Sequence, residues 1–194
     1  MNPWAGKALL FVWLVAATAI RVPHALQARK TKVRENRKGP LEIVLITLFG
    51  LGALGLPILA VATPLLAFAD YSLRLPAFVA GVVGLVAGLW IFYRSHRDLG
   101  SNWSETLEIR EQHAIVSSGV YAHIRHPMYA SMFLMGVAQA LYFPNWIAGP
   151  AGLLGFVLMF MGRLGPEEGM MLANFGQEYE AYRNRTKRLI PGVW

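Results

Sequence analysis

Between His113 and Tyr129 the chain reads HAIVSSGVYAHIRHPMY, a run that places three histidines, one arginine and two tyrosines in an otherwise apolar protein. Farther on, Arg163 closes a charge-free stretch and the Glu167-Glu168 pair follows it. His113, Tyr121, Arg125, His126, Tyr129, Arg163, Glu167 and Glu168 therefore form the polar constellation of the chain. Because residues 126–129 begin one apolar run and residues 163–168 end the next, both groups fall where water meets hydrocarbon. Such a boundary suits a membrane enzyme that joins a soluble reagent to a greasy substrate. By position alone, Arg163 reads equally as a functional cation and as a snorkelling anchor at the end of a span.

Other chemistries find less support. His123 and His126 are three apart and Glu167 and Glu168 are adjacent, but Pro127 disfavours helical geometry at His123, so no ligand face is fixed and no metal is expected. Ser117, Ser118 and Ser131 lie in no nucleophile-elbow context. Cysteine is absent, which removes disulfides, thiolate metal sites and a cysteine nucleophile.

The elements that must position these groups are spans. Of 194 residues, 55% are hydrophobic and 15% charged. Leu41 to Ala69 holds a single charge and Ile147 to Gly162 holds none, too long an unbroken apolar surface for the helices of a soluble core. The formal charge of +7 is segregated rather than patched: sixteen of the eighteen Lys and Arg residues fall in 21–38, 94–125 and 163–188. That is the positive-inside pattern, and it argues against nucleic acid. It puts the N-terminus outside, with the C-terminus and the polar constellation in the cytoplasm.

In order, the expected spans are Pro3 to Ile20, retained rather than cleaved, Leu41 to about Pro64 with a bend at Pro57, and Pro76 to about Tyr93. The basic run from Arg29 to Lys38 reads as a membrane-surface anchor. Gly81, Gly84 and Gly88 make one smooth packing face on the third helix. Residues 94–125 form a long polar segment, mostly loop with a short strand pair, Thr106-Leu107-Glu108-Ile109 being extended. Pro127 opens a fourth helix reaching Phe143, about 25 Å long and slightly short of a bilayer. Trp146 to Leu164 returns, Gly165-Pro166 breaks the span, and a cytoplasmic helix follows whose Met171, Phe175, Tyr179 and Tyr182 stripe is a docking face. The expected fold is an all-α integral membrane protein of about five transmembrane helices, the last two a hairpin, plus a cytoplasmic C-terminal helix. It forms one domain, with spans 1–3 in residues 1–97 and the polar loop, hairpin and last helix in 98–194.

At this point the motifs match something specific. Gly119-Val120-Tyr121, Arg125-His126-Pro127-Met128-Tyr129, Glu167-Glu168, Phe175-Gly176-Gln177-Glu178-Tyr179 and Arg188-Leu189-Ile190-Pro191 resemble the isoprenylcysteine carboxyl methyltransferase family. The resemblance runs from about Asp98 to Pro191, extends to the phospholipid N-methyltransferases, and in its five-span build is similar to prokaryotic members. It implies S-adenosyl-L-methionine as methyl donor and S-adenosyl-L-homocysteine as product, bound without a Rossmann domain. No Gly-x-Gly-x-x-Gly sequence is present to suggest one.

Carried over by motif position, His113, Ala114, Ile115 and Val116 contact the donor largely through backbone, and Tyr121, His126, Pro127, Met128 and Tyr129 line its pocket. Glu167 answers its positive charge, Arg163 holds the acceptor carboxylate, and Glu108 falls roughly at a polar donor contact. The implied partners are the bilayer and a prenylated or lipid-like methyl acceptor, which needs a gap between spans; the glycine face of the third helix is one place for it. Two other functions stay open: a lipid N-methyltransferase, whose amine acceptor must lose a proton to a base, and a non-catalytic scaffold or transporter, against which the lack of an internal repeat counts.

Overall fold

In the computed structural model, residues 4–36, 39–104, 106–111 and 114–193 are described. Helix α1 is Trp4–Ala28, α2 Pro40–Gly50, α3 Leu56–Ala62, α4 Leu75–Leu99, α5 Pro127–Tyr142 and α6 Ala148–Arg185. Two short strands, β1 (Val33–Asn36) and β2 (Glu108–Arg110), complete the elements that concern the site. The protein is thus mostly helical rather than wholly so. Among the described residues four helical stretches are long and apolar enough to cross a bilayer: Trp4–Ala28, Pro40–Ala62, Leu75–Asn102 and Ala148–Arg185. At 16 residues, α5 is shorter.

The second stretch bends where Pro57 has no N–H to give to the preceding turn. Residues Leu51–Gly55 widen into a π-turn, in which the N–H of Leu56 reaches the carbonyl of Leu51 and leaves that of Gly52 free. The buried amide of Gln139 on α5 donates to that Gly52 oxygen at 3.1 Å and to the Ala148 oxygen at 2.8 Å. A proline kink is thereby converted into a polar staple between three helices, in a medium where no water is at hand to satisfy the carbonyl.

The glycine face of α4 serves for packing. A Cβ on Gly88 would sit 2.7 Å from the Met135 side chain, and one on Gly81 would sit 2.9 Å from that of Tyr142, so both glycines let α5 approach closely. That face is filled by α5, as its reading as a packing face anticipates. Leu10 of α1, Leu85 and Phe92 of α4, and Met135, Ala138 and Tyr142 of α5 make the main core.

Three further expectations are corrected. Helix α4 runs on to Leu99, past Tyr93, so the polar segment starts later. Strand β2 pairs antiparallel with β1, inside the basic run read as a surface anchor, with Glu35 opposite Ile109; Arg37 and Lys38 of that run lie outside the described residues. The break at Gly165-Pro166 is absent: α6 passes through Pro166 and departs from helical geometry only at Gly176, whose φ of 50° suits a residue without a Cβ. An internal proline costs a helix about 3 kcal/mol, and here the next turn is tied down by the buried contacts of Glu167 and Glu168.

Candidate active site

The Arg125-His126-Pro127 corner is formed by backbone first. Pro127 takes the first turn of α5, where its missing N–H is not needed. The amides of Arg125 and His126 donate to the carbonyls of Lys187 and Arg188 at 2.7 and 3.0 Å, so the chain beyond α6 lies as a strap along the corner. Glu168 fastens both sides. It accepts from Arg125 Nη2 at 3.0 Å, from Arg188 Nη2 at 3.1 Å and meets His126 Nε2 at 3.3 Å. Arg125 also donates to the carbonyls of Arg183 and Thr186.

Glu167, one residue away, points elsewhere on the helix. It accepts from the Tyr129 hydroxyl and lies 3.6 Å from His126 Nδ1, while its side chain stays 28% exposed. The His126 and Tyr129 rings stack at 5.5 Å between centroids. Burial pulls His126 down, but hydrogen bonds and charge from Glu167 and Glu168 outweigh it and hold the imidazole above its ordinary value of 6.5. Tyr121 is pushed far above the usual phenol range, by burial first and then by Tyr182, Glu167 and Asp98, so it stands as a neutral phenol.

The approach to Tyr121 depends on one glycine. Gly119 has φ +59° and a Cβ there would fall 2.1 Å from Asp98 Oδ2, the atom that accepts from the Val120 amide at 3.0 Å. Likewise Asn102 Oδ1 accepts from the Ala114 amide at 3.0 Å and steadies the 114–116 backbone. Ser104 and Thr106 donate to Glu108 at 3.2 and 2.8 Å.

These elements enclose a cavity of about 200 Å³. Of the residues expected at the site, Ala114, Ile115, Val116, Tyr121, His126, Met128, Tyr129, Arg163 and Glu167 line it, as does Glu108. Pro127 is buried at the start of α5 without lining it. His113 lies outside the described residues. The stripe on α6 does two jobs: Met171 and Phe175 pack beside Leu107 and Ile109, while Met171, Tyr179 and Tyr182 also form cavity wall. Its lining combines the polar side chains of Asn102, Ser104, Thr106, Tyr121 and Glu167 with the apolar ones of Ile46, Phe49, Met132 and Met159.

Arg163, 9% exposed, occupies the wall of this cavity, and a residue that the sequence reading passed over stands behind it. Glu42 of α2 is 5% exposed, pairs with Arg163 Nη2 at 3.4 Å and accepts from the Leu107 amide at 3.0 Å. The signal was available, since Glu42 is the only charged residue between Leu41 and Ala69.

Several apolar helices fit to cross a bilayer, together with a cavity lined by both polar and apolar side chains, define a multi-pass integral membrane protein with an enzyme-type site. Residues 78–173 match the family model described as the isoprenylcysteine carboxyl methyltransferase (ICMT) family. The chain belongs to that family. It is 33% identical over 96 residues to protein-S-isoprenylcysteine O-methyltransferase of Tribolium castaneum, covering 48% of this chain and 34% of that one. To the enzyme of that name from Homo sapiens it is 30% identical over 117 residues, 59% of this chain and 41% of the other. A solved eukaryotic intramembrane Ras methyltransferase ICMT superposes with a TM-score of 0.54 at 25% identity, over 79% of this chain and 51% of that one. The chain therefore spans about half or less of the length of these relatives.

Proposed function

We propose that the protein is an S-adenosylmethionine-dependent methyltransferase that esterifies the carboxylate of a prenylcysteine or a similarly lipophilic acid at the cytoplasmic face of its membrane. In this reading α5 is the fifth crossing, paired with α6, its start drawn below the headgroups because 16 residues reach only about 24 Å. The N-terminus is outside and the basic strand region inside. One observation carries the reading: Arg163 and Glu167, from one helix, line the same cavity together with polar and apolar side chains.

The donor set fits S-adenosylmethionine. Glu167 is an anion in the cavity wall, held in place by Tyr129 and His126, and suits the amino or sulfonium charge of the donor. The Ala114–Val116 backbone and the Tyr121 ring supply polar and flat apolar wall. When bound, the donor supplies an electrophilic methyl: a carboxylate lone pair forms the new O–C bond as the S–C bond breaks, its electron pair stays on sulfur, and no proton moves. The chain's own residues align and desolvate. Arg163 offers a guanidinium fork for the acceptor carboxylate, strengthened by its dry surroundings. Ile46, Phe49, Met132 and Met159 receive the apolar tail. Alignment of this kind, rather than acid or base chemistry, is what a displacement between opposite charges requires. An amine acceptor would need a base, and Glu167 and Glu168 are both occupied by hydrogen-bond donors, which favours the acid.

The test is purified protein given labelled donor and a farnesylated cysteine analogue. A base-labile methyl ester is expected; label that survives mild base, or none, would count against the reading.

A further inference from the structure

Arg163 contacts an anion before any acceptor arrives. Glu42 sits on a different helix and is not part of the cavity wall, whereas Arg163 is. The carboxylate thus stands behind the guanidinium, 3.4 Å from Nη2, and the acceptor side of Arg163 remains towards the cavity. Glu42 is held there by the Leu107 amide, from the segment leading into β2. Its second oxygen, Oε2, is buried and has no hydrogen-bond partner among the described residues. A buried carboxylate left with a bare oxygen is costly to keep, and the only positive charge it is paired with among the described residues is Arg163.

We infer that Glu42 is a positioning residue that tempers Arg163, so that the acceptor carboxylate is gripped without losing its nucleophilicity. The inference rests on the acid-methylating reading above. During methyl transfer the acceptor oxygen gives a lone pair to carbon and loses its negative charge. An arginine with no counter-charge would therefore bind the ground state better than the transition state and raise the barrier. With Glu42 paired to it, part of the guanidinium's charge is already answered and this differential shrinks. The same arrangement keeps Arg163 paired once the neutral ester departs, which assists release.

The sign of the effect separates this role from simple structural support. Glu42→Gln preserves the shape and an oxygen for the Leu107 amide while removing the charge. In that variant the acceptor should bind about tenfold more tightly while kcat falls by up to that same factor, opposite directions that damage to the fold does not produce. Acceptor binding is read without turnover, by calorimetric titration of a farnesylated cysteine analogue in the presence of S-adenosylhomocysteine. Titration with S-adenosylhomocysteine alone and thermal unfolding in detergent report the fold. Glu42→Asp, which restores the charge, should return both parameters to within about threefold of wild type. If Glu42→Gln leaves both unchanged, weakens acceptor binding, or loses donor binding outright, or if Glu42→Asp behaves as Glu42→Gln does, the role of Glu42 is overturned while ester formation by the wild type keeps the broader reading intact. Absence of ester from the wild type would overturn both.

Discussion

The two ends of the α5–α6 pair carry polar clusters of similar size and opposite character. At the end where α5 runs out, Asn145 is almost fully buried and spends its amide on structure: Nδ2 donates to the Leu66 carbonyl and to Asp70 Oδ1, and Oδ1 accepts from the amides of Ile147 and Ala148. The first two contacts tie the turn to the 66–70 segment, and the last two satisfy amides at the start of α6. At the other end, Glu168 is used up in the same way by Arg125, His126 and Arg188, but Arg163, Glu167, Tyr121 and His126 face a shared cavity. Burial of polar groups in a membrane protein is therefore not itself a mark of function. What distinguishes the second end is side chains that keep a face towards open space after their structural bonds are made.

Four outcomes would sharpen or break this contrast. The largest effect belongs to Arg163→Ala, which should lower kcat/KM for the farnesylated acid about a thousandfold or more, because clamp and alignment are lost together. Steady-state ester formation measures it, and a loss below tenfold would place Arg163 among the anchors instead. Next is Glu168→Ala. It leaves Arg125 buried beside His126 without its carboxylate partner, and it should lower unfolding free energy by about 3 kcal/mol in denaturant titrations. An unchanged midpoint would show that the strap is held by backbone alone.

Asn145→Ala follows, at about 2 kcal/mol of stability, with specific activity per folded molecule unchanged. A selective loss of turnover there would erase the distinction between the two ends. The smallest effect is a pH slope. The pKa of His126 is raised, so its contribution to stability is complete below pH 6.5 and is lost as pH rises through the elevated value. Thermal unfolding across that range should decline for the wild type and flatten in His126→Gln; equal slopes would remove His126 from the charged network.

Much of the second end was legible in the chain. Arg125-His126-Pro127-Met128-Tyr129 and Glu167-Glu168 are local motifs, and each arrives at the cavity through the helix its own neighbours dictate. What escaped was contact at a distance. Glu42 reaches Arg163 across 121 positions, and as one charge in an apolar run it looked like a detail of composition. The pairing of β1 with β2 joins residues 72 or more apart, where strands of four and three residues leave almost no periodic signal. Pro166 was misread because local propensity gives the cost of a proline but not the buried bonds of Glu167 and Glu168 that outweigh it. The positive φ at Gly176, a few turns later, belongs to a glycine that local rules had no reason to single out.

The proposed methyl transfer requires the residues around Glu167, and not Arg163 in the same cavity, to hold a sulfonium nucleoside. Calorimetric titration of the folded, detergent-solubilised protein with S-adenosylhomocysteine tests it most directly. Saturable heat is expected from the wild type, with affinity lowered about tenfold or more in Glu167→Ala and unchanged in Arg163→Ala. No heat from folded wild-type protein, or equal losses in the two variants, would contradict it.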